Sequence, residues 1–116
     1  FAMKVKLMEA RPEAVFDCNR YAVQRGPVVY CMESVDNGAN IRDIRLDSRA
    51  RFAYGKHREL GVPQLTVKAW RRRPEADAPL YSARHDNLEK MEAVLIPYYA
   101  FANRGEAEMQ VWHFIK

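Results

Sequence analysis

The eleven residues PQLTVKAWRRR, Pro63 to Arg73, alternate apolar and polar: Leu65, Val67 and Ala69 would share one face, and Thr66, Lys68 and Trp70 the other. A period of two suits a strand with one buried face and cannot pack as a helix, whose period is 3.6. The same alternation places Met3, Val5 and Leu7 opposite Lys4 and Lys6. It returns in VVYCME, with Val29, Cys31 and Glu33 on one side and Val28, Tyr30 and Met32 on the other. It returns again at the end, with Met109, Val111, His113 and Ile115 against Gln110, Trp112 and Phe114. Shorter extended pieces are expected at IRDIRL and RFAYG, and between them Gly, Pro, Asn and Asp break the chain. Six to nine short strands in 116 residues predict an all-β domain, a β-sandwich, with a modest single core.

The breaks have their own chemistry. Pro27 follows Gly26 and cannot donate to a ladder, so a strand edge, bulge or sharp bend is expected there. Asn37-Gly38 readily takes positive φ and marks VDNGANIRD as a turn-rich link. PEADAPLYSARHDN, with Pro74 and Pro79, reads as a polar loop, and RPEAVFDCN as a connector. LEKMEAVLIPYYA is ambiguous: its first residues are good helix formers, but the apolar run AVLIPYY favours a buried strand ending near Pro97.

Apolar residues make up 48% and charged residues 29%, an ordinary globular balance that argues against a disordered tail. The net charge of +4 lacks the long basic block of a nucleic-acid arm. Its one dense cluster, Arg71 to Arg73, is expected to be a solvated strand end, so no nucleic-acid partner is expected. No apolar run approaches the roughly 18 residues of a membrane-spanning helix, and no signal peptide is visible. Because alternation is already under way at Met3, the chain is expected to begin inside a strand, as a piece of a longer protein.

Residues capable of chemistry are present but not patterned for it. Cys18 and Cys31 match no CxxC spacing, and a buried, reduced Cys31 packed among apolar side chains is favoured over a bridge. His57, His85 and His113 are scattered singly, outside any HxH or HExxH pattern. His113 reads as a satisfied interior or interface histidine, and His85 as a loop residue. Glu33 with Asp36, or Glu89 with Glu92, could supply the two carboxylates that most glycoside hydrolysis needs, although such pairs are common on solvated faces and turns. Nucleophilic use of Cys31 would require a histidine brought to it by the fold. Tyr98, Tyr99, Phe101, Trp112 and Trp70 could stack on sugar rings, or pack in the core or against another domain. No catalytic, cofactor-binding or metal-binding residue is assigned.

Two ordered segments carry a resemblance: YAVQRGPVVYCMESVDN, Tyr21 to Asn37, and LIPYYAFANRGEAEMQVWHFI, Leu95 to Ile115. Together they resemble the carboxy-terminal β-rich part of glycoside hydrolase family 127, whose members include β-L-arabinofuranosidases. Phe101 stands where tryptophan is expected. The resemblance implies that catalysis, through a zinc-bound cysteine, belongs to an upstream (α/α)6 barrel with which this region is partnered, and that Cys31 lies outside the catalytic segment. It implies a boundary near residue 37, with 1–37 ending a middle β domain and 38–116 forming the last one, unless 1–116 is one unit. The expected function is a non-catalytic accessory region supporting the barrel or an oligomer interface. The alternatives are a carbohydrate-binding module or a small stand-alone hydrolase. Glu33 and Asp36 are expected to fix a turn or a domain contact.

Overall fold

A computed structural model describes residues 4–9, 20–72, 88–105 and 107–115. Cys18, Arg73, Pro74, Pro79 and His85 lie outside them, as do the connector and polar loop expected around those residues. The described elements run β1 (Val5–Glu9), β2 (Tyr21–Arg25), β3 (Val28–Glu33), a single helical turn α1 (Ser34–Asn37), β4 (Ile44–Leu46), β5 (Ala53–Lys56), β6 (Pro63–Arg72), β7 (Leu88–Pro97), β8 (Met109–Gln110) and β9 (Trp112–Ile115). Turns of 3₁₀ helix precede β4 (Ile41–Asp43) and follow β7 (Tyr98–Ala100). No helix among the described residues is long and apolar enough to cross a membrane.

The nine strands form one sheet whose hydrogen bonds close on themselves. Following partners from β2 through β9, β4, β6, β7 and β3 leads back to β2. Closure is possible because Tyr21 and Ala22 pair with β9 while Val23 to Arg25 pair with β3. β1, β5 and β8 attach to β2, β6 and β3. The all-β, sandwich-like fold expected from alternation is therefore present, with its layers joined into one continuous ladder.

Alternation decides which faces meet. Leu65, Val67 and Ala69 of β6 stand opposite Leu95, Ala93 and Met91 of β7. With Val23, Tyr30, Met32, Ile41, Ile44 and Leu46 they build the main core. β3 is buried on both faces, because Cys31 points away from that core into a smaller cluster with Ile96, Ala100, Leu60, Val62, Met109 and Val111. Gly26 takes φ of 59° at the corner between β2 and β3, so the bend expected at Gly26-Pro27 is a tight hairpin turn.

Three expectations change. Leu88 to Pro97 is strand throughout, because a ten-residue β6 supplies ladder partners from Leu88 to Leu95, which outweighs the helical propensity of Glu, Lys and Met. The final strand is broken at Val111: β8 pairs with β3, and β9 pairs with β2 and, in parallel, with β4. The Asn37-Gly38 link contains a helical turn rather than loop alone. Asn37 locks it in place by donating to the Glu33 and Val94 carbonyls while accepting from the Val94 N–H.

Candidate functional site

The densest grouping of chemically capable side chains lies beside the smaller core. Glu33 ends β3, Asp36 sits on α1, His57 follows β5, and Arg104 comes from the loop after the Tyr98 turn. The four side chains are between 2% and 10% exposed, so their charges must satisfy one another. Arg104 is the hub. Its two terminal nitrogens each donate to one Asp36 oxygen at 2.7 Å, a bidentate pair, and Nη2 also donates to Glu33 Oε1 at 3.1 Å. The other Glu33 oxygen accepts the Ala102 N–H at 3.1 Å.

His57 has its tautomer fixed by its surroundings. Nδ1 accepts the N–H groups of Glu59 and Leu60 at 3.2 and 3.1 Å, so the proton resides on Nε2, which donates to Asp36 Oδ1 at 2.8 Å. The contact of 3.3 Å between His57 Nε2 and Arg104 Nη1 is then donor facing donor and holds nothing. Burial alone would raise the Asp36 carboxyl. The hydrogen bonds from Arg104 and His57 outweigh it and hold the group below its ordinary value. Asp36 in turn raises the Arg104 guanidinium further into its charged range.

Such a cluster is poorly suited to acid–base chemistry. A general base needs a lone pair facing a substrate, and a general acid needs a proton to give up near neutral pH. Both Asp36 oxygens and both Glu33 oxygens already accept hydrogen bonds from within the domain. Cys31 is a free, fully buried thiol, and burial, with the nearby Glu33 and Asp36 charges, pushes it up to about 12. A thiol held protonated is neither nucleophile nor metal ligand. Among the described residues no three His, Cys, Asp or Glu side chains are arranged to hold a metal ion, and Glu33, the carboxylate nearest Cys31 in sequence, is committed to Arg104. The described residues do not fit zinc.

A match to the family model for the glycoside hydrolase family 127 C-terminal domain runs over residues 5–114. The chain belongs to this family. The non-reducing end β-L-arabinofuranosidase of Bifidobacterium longum subsp. longum is 36% identical over 118 residues, covering 95% of the chain but 18% of that enzyme. The crystal structure of a family 127 β-L-arabinofuranosidase from Geobacillus stearothermophilus T6 superposes with a TM-score of 0.90 at 38% identity, over 100% of the chain and 19% of that structure. A further family 127 β-arabinofuranosidase structure gives 0.84 at 36% identity, again covering 18% of its length. This family 127 domain thus spans about one fifth of the length of the relatives it matches.

The remaining candidates are dispersed. Glu89 and Glu92 lie three apart on β7 and so point to opposite faces, which removes them as a catalytic pair. Arg72 is exposed at the end of β6, as expected of a solvated strand end, whereas Arg71 is partly buried and donates to the Asn37 and Ala39 carbonyls, bracing the α1 turn. His113 is fully buried, as expected of an interior histidine, but it is not satisfied. The Tyr30 backbone lies close, yet neither ring nitrogen attains hydrogen-bond geometry, and burial lowers the imidazole to about 4.

The five aromatics do not form one platform. Trp70 stands on β6 between Lys68 and Lys90, and Trp112 lines a groove of about 410 Å³ with Arg20, Arg42 and Glu108. Tyr98 and Phe101 stack on each other with centroids 5.1 Å apart. Sequence reasoning missed His57 and Arg104 as partners of Asp36. The available signal was the Ala-Asn-Arg-Gly segment, which carried the family resemblance without revealing what its arginine touches.

Proposed function

We propose that this chain is a non-catalytic accessory domain of a larger glycoside hydrolase resembling the β-L-arabinofuranosidases, and that it supports an upstream catalytic barrel. The observation that carries this reading is the state of its carboxylates. The two closest buried ones, Glu33 and Asp36, have every oxygen engaged by Arg104, His57 or the Ala102 backbone. The span of about one fifth of each relative supports the same reading. Zinc-dependent chemistry, if the parent protein uses it, belongs to residues outside this chain. The exposed aromatics favour contact with protein over sugar, because Tyr98 and Phe101 each spend a ring face on the other and Arg25 covers Tyr54 at 4.1 Å.

The test is hydrolysis of a chromogenic β-L-arabinofuranoside by the purified chain and by the full-length parent protein. Activity in the parent alone supports the accessory role. Turnover by the isolated chain, abolished by Cys31→Ser with folding retained, overturns it.

A further inference from the structure

The strand register lines up one transverse row of side chains on the outer face of the sheet. Arg45 of β4 stands between Phe114 of β9 and Trp70 of β6, and Trp70 in turn faces Lys90 of β7. Tyr21 pairs with His113 in the antiparallel β2–β9 ladder, so Arg20 falls beside Phe114 at the other end. Ile44, Ala69 and His113, each next in sequence to a member of the row, are buried, so the row itself looks outward. Read across the sheet it alternates cation and ring: Arg20, Phe114, Arg45, Trp70, Lys90. The contacts follow this order. The Arg20 and Arg45 guanidinium carbons lie 4.4 and 4.3 Å from the Phe114 centroid, and Lys90 Nζ lies 5.8 Å from that of Trp70. Strands about 4.8 Å apart set successive cations roughly 10 Å apart.

These cations have no acid to answer them. Among the described residues none of Arg20, Arg45 and Lys90 is in an ion pair. The carboxylates of Asp47 and Glu92 belong to the next row, where Asp47 lies 3.8 Å from Lys68 and Glu92 stands across from it. Asp43 bears on Arg45, but burial, with the charges of Arg72 and Arg20, outweighs it and lowers the guanidinium. Arg45 is also fixed in place, donating to the Arg42 carbonyl at 2.6 Å. Cations held in position without partners are preorganised for an anion. At its Arg20 end the row opens on the groove of about 410 Å³ that Arg42, Gln110 and Trp112 also line. Gln110 is 9% exposed, and its side-chain nitrogen has no hydrogen-bond partner. Glu108 is the one carboxylate among the lining residues, and one of its oxygens accepts the Asn40 N–H.

The chemistry selects among polyanions. At the centre of the row β9, β4 and β6 are each paired on both sides, so an acidic peptide has no free edge there to join as a strand. Duplex nucleic acid carries one charge per about 1.7 Å of its axis, far denser than this row. An acidic glycan presents sparse carboxylates along an extended chain, with rings and hydroxyls that suit a groove of donors walled by tryptophan. We infer that the row from Arg20 to Lys90 binds the carboxylates of an acidic polysaccharide, with one uronate residue seated in the groove beside Trp112. The choice of a glycan rests on the reading of this chain as one domain of a larger glycoside hydrolase.

Titration calorimetry on the full-length parent protein, with hexagalacturonate as the probe, tests it. Binding in about 50 mM salt should weaken at least tenfold at about 500 mM, where screening shortens the reach of the cations. It should also weaken at least tenfold in the double variant Arg20→Gln with Lys90→Gln, and at least threefold in Arg42→Gln, whose position is exposed, with the urea midpoint unchanged. No binding, or binding left intact by both variants, overturns the inference. Equal affinity for neutral maltohexaose overturns it by removing charge as the cause, and tighter binding of polyaspartate of matched charge overturns it in favour of an acidic protein segment. Because binding is read without turnover, an inactive parent that holds hexagalacturonate through this row refutes the functional reading and leaves the site standing.

Discussion

Replacing Arg104 with methionine keeps much of the side chain's bulk but removes the only guanidinium in the buried cluster. Glu33 and Asp36 then remain as buried carboxylates at 2% and 10% side-chain exposure, having lost three charge-assisted hydrogen bonds of 2.7, 2.7 and 3.1 Å. Removing one partner of a buried ion pair costs about 3–5 kcal/mol, chiefly because the stranded charges have no solvent. The stability of a whole domain is roughly 5–15 kcal/mol, so the loss is a large share. In urea unfolding followed by circular dichroism, a slope typical of small domains turns it into a midpoint lower by about 2 M. Adding Glu33→Gln and Asp36→Asn to Arg104→Met removes the stranded charges and should recover about half of the loss or more. Acid should narrow the gap between wild type and Arg104→Met. Asp36 is depressed in the folded state, so its contribution is complete above the unfolded value of about 3.9 and disappears as pH falls through the folded value. An Arg104→Met chain whose neutral-pH stability lies within about 1 kcal/mol of wild type would refute the reasoning, since the cluster could not then be a dry, mutually dependent set of charges.

Two further outcomes follow from single positions. His113 titrates near 4 in the fold against about 6.5 unfolded, so the unfolded chain binds the extra proton first and stability falls on acidification between those values, by about 3 kcal/mol in all; His113→Leu should flatten this part of the pH–stability curve, and an unchanged slope counts against a buried neutral imidazole. Gly38 combines φ of 85° with ψ of 167°, a region essentially reserved for glycine, and an added Cβ would lie 3.2 Å from Arg71 Nη2. Gly38→Ala should therefore cost about 1–3 kcal/mol in the same urea assay, and a neutral result would show that the turn relaxes freely.

What could be read in the sequence was what repeats locally. Leu65, Val67 and Ala69 announced their shared face through spacing alone, because a strand's two faces are encoded in adjacent residues. The ambiguity at Leu88 could not be settled there, since its resolution depends on a ten-residue partner strand. The buried cluster was half visible: Glu33 and Asp36 are three residues apart, whereas His57 and Arg104 reach Asp36 from 21 and 68 residues away. Alternation likewise placed His113 inside but could not say whether a polar group would meet its ring. Val111, apolar and in phase, gave no sign of the bend that sends β8 and β9 to different partners.

The strand circuit that begins and ends at β2 also has a direction in time. Ribosomes deliver β2 about ninety residues before β9, a delay on the order of ten seconds at ordinary elongation rates. Throughout that interval the backbone groups of Tyr21 and Ala22 that pair with β9, and those of Arg45 and Leu46 on β4, await a strand not yet made. A nascent domain of this kind holds open edges until its final element emerges, and open edges pair readily with the wrong neighbour. Its vulnerability to aggregation is therefore concentrated in synthesis, and Trp112 to Ile115 act as the clasp that ends it.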